Sequence, residues 1–399
     1  MKILVIHEID YFNKAVFEFQ ILSEIFSSFG HEVTVIDYPQ HKQNTHFQYN
    51  PHFNGYVANN IQRTLKSASL TIVRPPCSKF LLFTRVSYVL NIGKLIKKIV
   101  SSQKIDFIFL YSVAHNGKQA IRLAKKYHIP VIFRSIDILH KIAPKKIYRY
   151  PVLFFEKYVY KNSDLILALT PKLKDYVIRL GANASKVKLQ PAGVDTDLYR
   201  PLPKNLELAE KWGISQNDKV VLFAGTLYGF STLDWLAENW KSVLENIPEA
   251  KLLILGNGPL FPNLQKIIKK NALEKSVILA DWQPYELLPD FINLADICIN
   301  LFQLNDITRE IIPTKLFQYL ACSKPIVAFP LPGTIDILSG EKEGLVYAKD
   351  NQDALNLIIR LLKDENKAGE IGKNGYRLTK EKYDWKKIAE NILETVKSI

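Results

Sequence analysis

Residues 2–37, KILVIHEIDYFNKAVFEFQILSEIFSSFGHEVTVID, decide the fold. Residues 2–7 form a short run, continuously apolar from Ile3 to Ile6. Residues 14–29 repeat apolar side chains at helical spacing until Gly30 stops them, and 32–37 is a second apolar run. Strand, helix, strand in that order is one βαβ unit, which builds a parallel sheet. Further apolar runs at 70–73, 107–111, 131–134 and 165–169 continue it, with helical patterns between several of them, as at 118–127. Because these runs are continuous rather than alternating, the strands are expected to be buried on both faces, with helices on either side.

One such domain does not use up the chain. Its 399 residues exceed the roughly 250–300 at which a single core stops growing. A polar stretch at 191–205, with Pro191, Pro201 and Pro203, interrupts the pattern, which then restarts with runs at 220–224, 251–255, 277–280, 296–301, 326–329 and 345–347. The predicted class is α/β: two Rossmann-like doubly wound parallel-sheet domains facing across a cleft. The expected boundaries are a first domain at 1–190, a linker at 191–205, a second domain at 206–378 and a C-terminal segment at 379–399 that packs back on the first domain. Open parallel sheets bind ligands at the carboxyl ends of their strands, so the active site is expected in the cleft.

Composition narrows the class. Hydrophobic residues at 47% and charged residues at 23% describe a globular chain, neither disordered nor fibrous. Cys77, Cys298 and Cys322 stand far apart in no zinc or disulfide spacing, which predicts a reducing compartment and no structural metal. The opening MKILVIHEID carries Glu8 and Asp10, unlike an export signal, and no apolar run approaches the roughly 20 residues of a membrane span. A cytoplasmic location follows as the expectation.

The net charge of +14 is uneven: residues 1–200 hold 29 Lys/Arg against 13 Asp/Glu, and 201–399 hold 24 against 26. An anionic partner is expected on the first half. Residues 86–100 and 140–161 interleave cations with aromatic and aliphatic side chains, as interfacial helices do. This predicts docking on an anionic membrane surface, at the inner face of the cell membrane, through Lys94, Lys97, Lys98, Lys145, Lys146 and Arg149. No recognisable nucleic-acid module accompanies the basic half.

Two second-half strands run into glycine, at Phe223-Ala224-Gly225-Thr226 and Leu255-Gly256-Asn257-Gly258. Lacking Cβ, glycine lets backbone amides approach a phosphate or base closely. The stretch 309–325, REIIPTKLFQYLACSKP, is the most informative for chemistry. Pro313 suits the first turn of a helix, which places Thr314 and Lys315 at a positive helix end able to hold a diphosphate. Glu310 precedes that helix and Gln318 lies on its second turn, so both can face one ligand.

These residues resemble the nucleotide-binding domain of family 4 glycosyltransferases, which have the GT-B fold. Gly193-Val194-Asp195 followed by Leu198-Tyr199 resembles the family's interdomain motif. Residues 295–299, ADICI, resemble one of its strands, and Glu310 with Gln318 occupies its pair of glutamates separated by seven residues. The resemblance runs from about residue 2 to the end, including Trp385, and is most specific in the second half. It implies a hexose-type transferase acting from a nucleoside-diphosphate sugar onto a glycan or lipid-linked acceptor, with retention, no cofactor and no bound metal. Glu310 would face the sugar and Gln318 the ribose, with Gly225, Thr226, Gly256, Arg309, Thr314 and Lys315 around the donor. In the acceptor-binding first domain, His115 and Asp137 follow strands and match positions near the reacting sugar; His140 is a weaker candidate.

Three departures stand out. Gln318 replaces a glutamate, and the loop Gly225–Phe230 lacks the Arg and Lys that many relatives direct at the diphosphate, for which Lys315 or Arg309 would substitute. The first strand leads into His7-Glu8-Ile9-Asp10 rather than a paired-glycine loop. Two other functions fit the same pattern: a sugar-nucleotide 2-epimerase on the same fold, and a membrane-bound scaffold with a decayed donor site.

Overall fold

The computed structural model describes residues 1–13, 16–38, 47–78, 81–114, 116–141, 146–305 and 308–399. They divide into unit 1, Met1–Ala192 with Trp385–Ile399, and unit 2, Gly193–Asp384.

Unit 1 is built on nine described strands: β1 (Lys2–Ile6), β2 (Glu32–Ile36), β3 (Gln48–Asn50), β4 (Gly55–Ile61), β5 (Leu70–Arg74), β6 (Phe107–Leu110), β7 (Val131–Ser135), β8 (Leu165–Ala168) and β9 (Val187–Leu189). They lie in the order β3-β4-β5-β2-β1-β6-β7-β8-β9. From β5 to β9 all pairs are parallel, with Ile3 opposite Val33 on one side of β1 and opposite Phe107 on the other. β3 and β4 form an antiparallel addition at the β5 edge, which the apolar-run pattern did not predict. Helices Leu81–Ser102, Gly117–Tyr127 and Arg149–Asn162 pack side by side. Helix Glu18–Ser28 packs on the returning helix Trp385–Lys397. The latter buries Trp385, Ile388, Ala389, Ile392, Leu393 and Val396, an apolar stripe at three- and four-residue steps.

Unit 2 carries β10 (Lys219–Ala224), β11 (Ala250–Leu255), β12 (Val277–Leu279), β13 (Ile297–Asn300), β14 (Ile326–Ala328) and β15 (Leu345–Tyr347). All pairs are parallel, in the order β12-β11-β10-β13-β14-β15. The connections reverse direction between β10 and β13, as they do between β1 and β6 in unit 1. Loops diverge at such a switch point and leave a crevice beyond the carboxyl ends of the strands. The proline-bearing stretch after Gly193 is fixed onto unit 2: Leu202 N donates to Asn293 Oδ1 at 3.0 Å, and Lys204 pairs with Asp296 at 2.9 Å. The two ends of unit 2 meet, because Val194 bridges to Asp384 and donates its N–H to Tyr383 O at 2.8 Å.

Candidate active site

In unit 2 the switch point brings Gly225, Gly256 and Lys315 together. β10 ends at Ala224, whose N–H donates to Tyr319 Oη at 2.7 Å, tying the helix Lys315–Ala321 to the strand end. Gly225 (φ 138°) and Gly256 (φ 116°) both sit in backbone conformations that favour glycine. A Cβ on Gly256 would lie 2.1 Å from Gly225 O, so the two turns touch through bare backbone. Thr226 follows, half-buried.

Lys315 reaches into this place. Its Nζ stands 3.8 Å from the Phe223 ring centroid and 4.7 Å from that of Phe302, between the last residues of β10 and the loop after β13. A methyl group on Gly225 would come within 2.7 Å of Nζ. Aromatic faces attract a cation but do not neutralise it. The residue keeps some exposure, yet burial of the ammonium pushes its pKa down to about 7. Among the described side chains no carboxylate pairs with it.

The helix after Pro313 differs from expectation. It covers only seven residues and begins at Lys315, with Thr314 preceding it. Leu316 N already donates to Pro313 O at 3.0 Å and Phe317 N to Thr314 O at 3.2 Å. The positive charge at this end therefore comes chiefly from the Lys315 ammonium rather than from a row of open amides. Arg309 is exposed in the turn Thr308–Glu310, its N–H on Asn305 O at 3.0 Å. Glu310 closes that turn, five residues ahead of Lys315; its side chain lies outside the described part.

Gln318 is half-buried, and its Nε2 donates to Tyr199 Oη at 3.0 Å. Tyr199 is fully buried against the edge of Tyr285. With its nitrogen engaged, the amide retains an oxygen to accept from a ligand hydroxyl. A carboxylate in the same place would accept from both Tyr199 and the ligand, and charged acceptors bind more strongly. Gln318→Glu should accordingly tighten nucleotide-sugar binding about 3- to 10-fold, measured by calorimetry; equal or weaker binding would remove residue 318 from the ribose.

A separate cavity of about 620 Å³ opens at the β13–β15 end of the same sheet, between Trp235, Leu304, Phe329 and Asn351. None of the expected donor residues lines it.

The carboxyl edge of unit 1 is organised differently from a phosphate loop. Asp10 accepts from Phe12 N at 3.0 Å and Asn13 N at 3.1 Å, and Asp37 accepts from Tyr11 N at 3.0 Å. Arg74 forks onto Asp37 at 2.6 and 2.5 Å and pairs with Asp10 at 3.0 Å, all three buried. The amides that a glycine loop offers to phosphate are thus committed to the chain's own carboxylates. Across the switch point Ser112 donates to Glu8. His7 is buried, and desolvation pushes its pKa down to about 3, so the ring is neutral. The buried pair Arg134–Glu18 at 2.7 Å adjoins the same edge.

Of the first-domain candidates, His115 and the membrane candidate Lys145 lie outside the described residues. Asp137 is exposed after β7; burial of its carboxyl end, and then the Glu18 carboxylate, raise its pKa. His140 is held by structure: Nδ1 is 2.7 Å from the buried Glu156 and 2.9 Å from Tyr176 Oη. Lys94, Lys97, Lys98, Lys146 and Arg149 are all exposed. Phe223 and Phe302 were not singled out in the sequence, where each looks like an ordinary core aromatic.

Comparison with known proteins agrees with this architecture. Residues 21–198 match the family model "Glycosyltransferase Family 4", and 205–378 match "Glycosyl transferases group 1". The sulfoquinovosyl transferase of Arabidopsis thaliana is 24% identical over 78% of this chain and 60% of its own length. That partial span falls short of two thirds of the relative. The alpha-monoglucosyldiacylglycerol synthase of Acholeplasma laidlawii is 21% identical over 73% of this chain and 75% of its own. HepE of Anabaena, solved in complex with UDP-glucose, superposes with a TM-score of 0.70 at 15% identity, covering all of both chains. Two matched models, one on each parallel-sheet domain, place this chain in the family 4 glycosyltransferases, enzymes of the GT-B fold.

Proposed function

We propose that the protein transfers a hexose-type sugar from a nucleoside-diphosphate sugar to a glycan or lipid-linked acceptor, with retention and without a bound metal, at the cytoplasmic face of a membrane. The observation that carries the reading is Lys315, an ammonium held between Phe223 and Phe302 against the glycine turn of β10. A cation in that setting, with no described carboxylate beside it, is arranged for a ligand that brings its own negative charge. A diphosphate does so, and its departure from the sugar develops further charge that Lys315 would stabilise. The single cation takes the part a divalent ion plays elsewhere.

Gln318 would take the ribose and Glu310 the sugar, while Gly225, Thr226, Gly256, Arg309 and Thr314 surround the diphosphate. His115 and Asp137 would serve the acceptor side; the raised pKa of Asp137 suits a group that holds or receives a proton. The UDP-glucose complex of HepE supports the donor class. The Acholeplasma relative, named for an alpha-linked glucolipid, supports both retention and a lipid acceptor. An anionic membrane surface is the partner proposed for the basic half of the chain.

The test is a thermal-shift screen against UDP-, GDP-, ADP- and TDP-sugars, because a ligand that binds the native state raises its midpoint. A selective rise names the base. A folded protein that none of them stabilises at millimolar concentration would defeat the donor assignment.

A further inference from the structure

Unit 1 carries an apolar rim that its cores do not use. On helix Leu81–Ser102, Phe83, Val86 and Leu90 are 62%, 56% and 69% exposed. They share one helical stripe with the exposed Lys94 and Lys97, opposite the buried Tyr88, Ile92, Leu95 and Ile99. The same arrangement recurs two helices away: Ile147, Tyr150 and Phe154 are 73%, 81% and 60% exposed, and Lys157 and Lys161 continue the stripe of Tyr150 and Phe154. In both stretches the exposed apolar side chains come first, with the exposed cations Arg85, Lys146 and Arg149 among them, and further lysines follow.

The packing brings the two apolar halves to one edge. Each helix follows a strand of the parallel part of the sheet and runs back against it, so its N-terminal end lies at the sheet's carboxyl edge. Helix Gly117–Tyr127 lies between them. Its first turn meets the 81–102 helix at Gly93, where an added Cβ would be 3.6 Å from Gln119. Gln119 is the third residue of the middle helix, so Phe83, ten residues before Gly93, projects beyond the start of that helix by roughly 12 Å at 1.5 Å per residue. On the other side Lys118 stands 5.9 Å from the Phe154 ring and 5.8 Å from Tyr158, so residues 146–153 also lie beyond that level.

Charge identifies the occupant. The only acid in the three described helices is Glu156, and it is fully buried. Every exposed charge on them is positive. A second copy of the chain would oppose this face with like charge, whereas an anionic bilayer offers both headgroup phosphates and hydrocarbon.

We propose that Phe83, Val86, Leu90, Ile147, Tyr150 and Phe154 insert into the interface of an anionic lipid bilayer, with the lysines of the same helices on the headgroups behind them and the carboxyl edge of the nine-stranded sheet turned towards the membrane. This deepens the membrane reading above and needs no donor or acceptor, so it stands or falls apart from the transfer chemistry. A substrate embedded in the bilayer would then meet the edge of the sheet where parallel folds bind ligands, without leaving the lipid.

The experiment is sedimentation of the full-length protein with sucrose-loaded vesicles of phosphatidylglycerol and phosphatidylcholine in equal parts, and with phosphatidylcholine alone. Wild type should pellet with the anionic vesicles. The exposed quadruple change Phe83→Ser, Leu90→Ser, Tyr150→Ser and Phe154→Ser should lower partitioning on the order of tenfold or more, with the thermal midpoint unchanged. Lys94→Glu with Lys97→Glu and Lys98→Glu should weaken binding most at low salt. If the quadruple variant does not fold, Phe83→Ser with Leu90→Ser gives the same readout. A folded variant that binds as wild type overturns the proposal. So does wild type that sediments as a dimer and becomes monomeric in the variant, which would give the rim to a second copy.

Discussion

Replacing Lys315 by Met should leave the unliganded protein at an equal or higher melting midpoint while removing most of its affinity for a nucleoside-diphosphate sugar. The two halves of that result have one cause. In the unliganded protein the Lys315 ammonium is held away from water, as its pKa of about 7 reflects, and Met fills the slot between Phe223 and Phe302 without that cost. In the proposed complex, the charge is what would meet the diphosphate. Losing one partner of a desolvated charge pair costs roughly 2–4 kcal/mol, or about 30- to 700-fold in dissociation constant. Calorimetry and thermal melting on the same preparation check both halves; unchanged donor affinity would remove Lys315 from the site.

The same group sets a pH dependence. A diphosphate raises the pKa of Lys315 above its free value, so binding takes up a proton wherever the free protein is neutral at that position. Below about pH 7 the ammonium is already charged and this residue contributes no slope. Above it, donor affinity should fall by up to about tenfold per pH unit until the pKa of the complex is reached. In Lys315→Met that fall should vanish.

Glu310→Gln is the second large effect. The change keeps shape and hydrogen bonding but removes charge, and Glu310 ends the short turn Thr308–Glu310 rather than a strand or long helix. Turnover should drop on the order of 100- to 1000-fold with the fold and the donor-induced midpoint shift intact, because in the proposed mechanism the carboxylate would act on charge developing at the sugar. Stopped-assay kinetics of nucleotide release measure it. A variant turning over at the wild-type rate would take Glu310 out of the mechanism.

How much of this could be read from the sequence differs between the levels. Strands such as Phe107–Leu110 and Val220–Ala224 lie deep between helix layers, so their apolar runs announce them. β4 does not, because Gly55–Ile61 breaks its apolar run with Tyr56, Asn59 and Asn60 in solvent, and the strands beyond it and at the other edge, β3 and β9, are three residues each. Gly225 was legible as a glycine ending an apolar run, and Lys315 with Gln318 as residues of one short helical stretch. Their partners were not: Phe302 reaches Lys315 from the loop after β13, and Tyr199 meets Gln318 across more than a hundred residues of chain. The basic helices were recognisable from interleaved Lys and aromatics. Which aromatics stay in solvent depends on how far the 81–102 helix projects past its neighbour, a fact of packing that no local pattern encodes.

The meeting of Val194 with Asp384 has a genetic consequence. Unit 2 is a single uninterrupted stretch of gene whose two borders abut in space, so it has the form of a cassette spliced into unit 1. Two cuts and one short glycine joint would excise it, and the same two junctions would accept the corresponding stretch of a relative. New sugar preferences could then be acquired by exchange of that cassette, leaving unit 1 untouched.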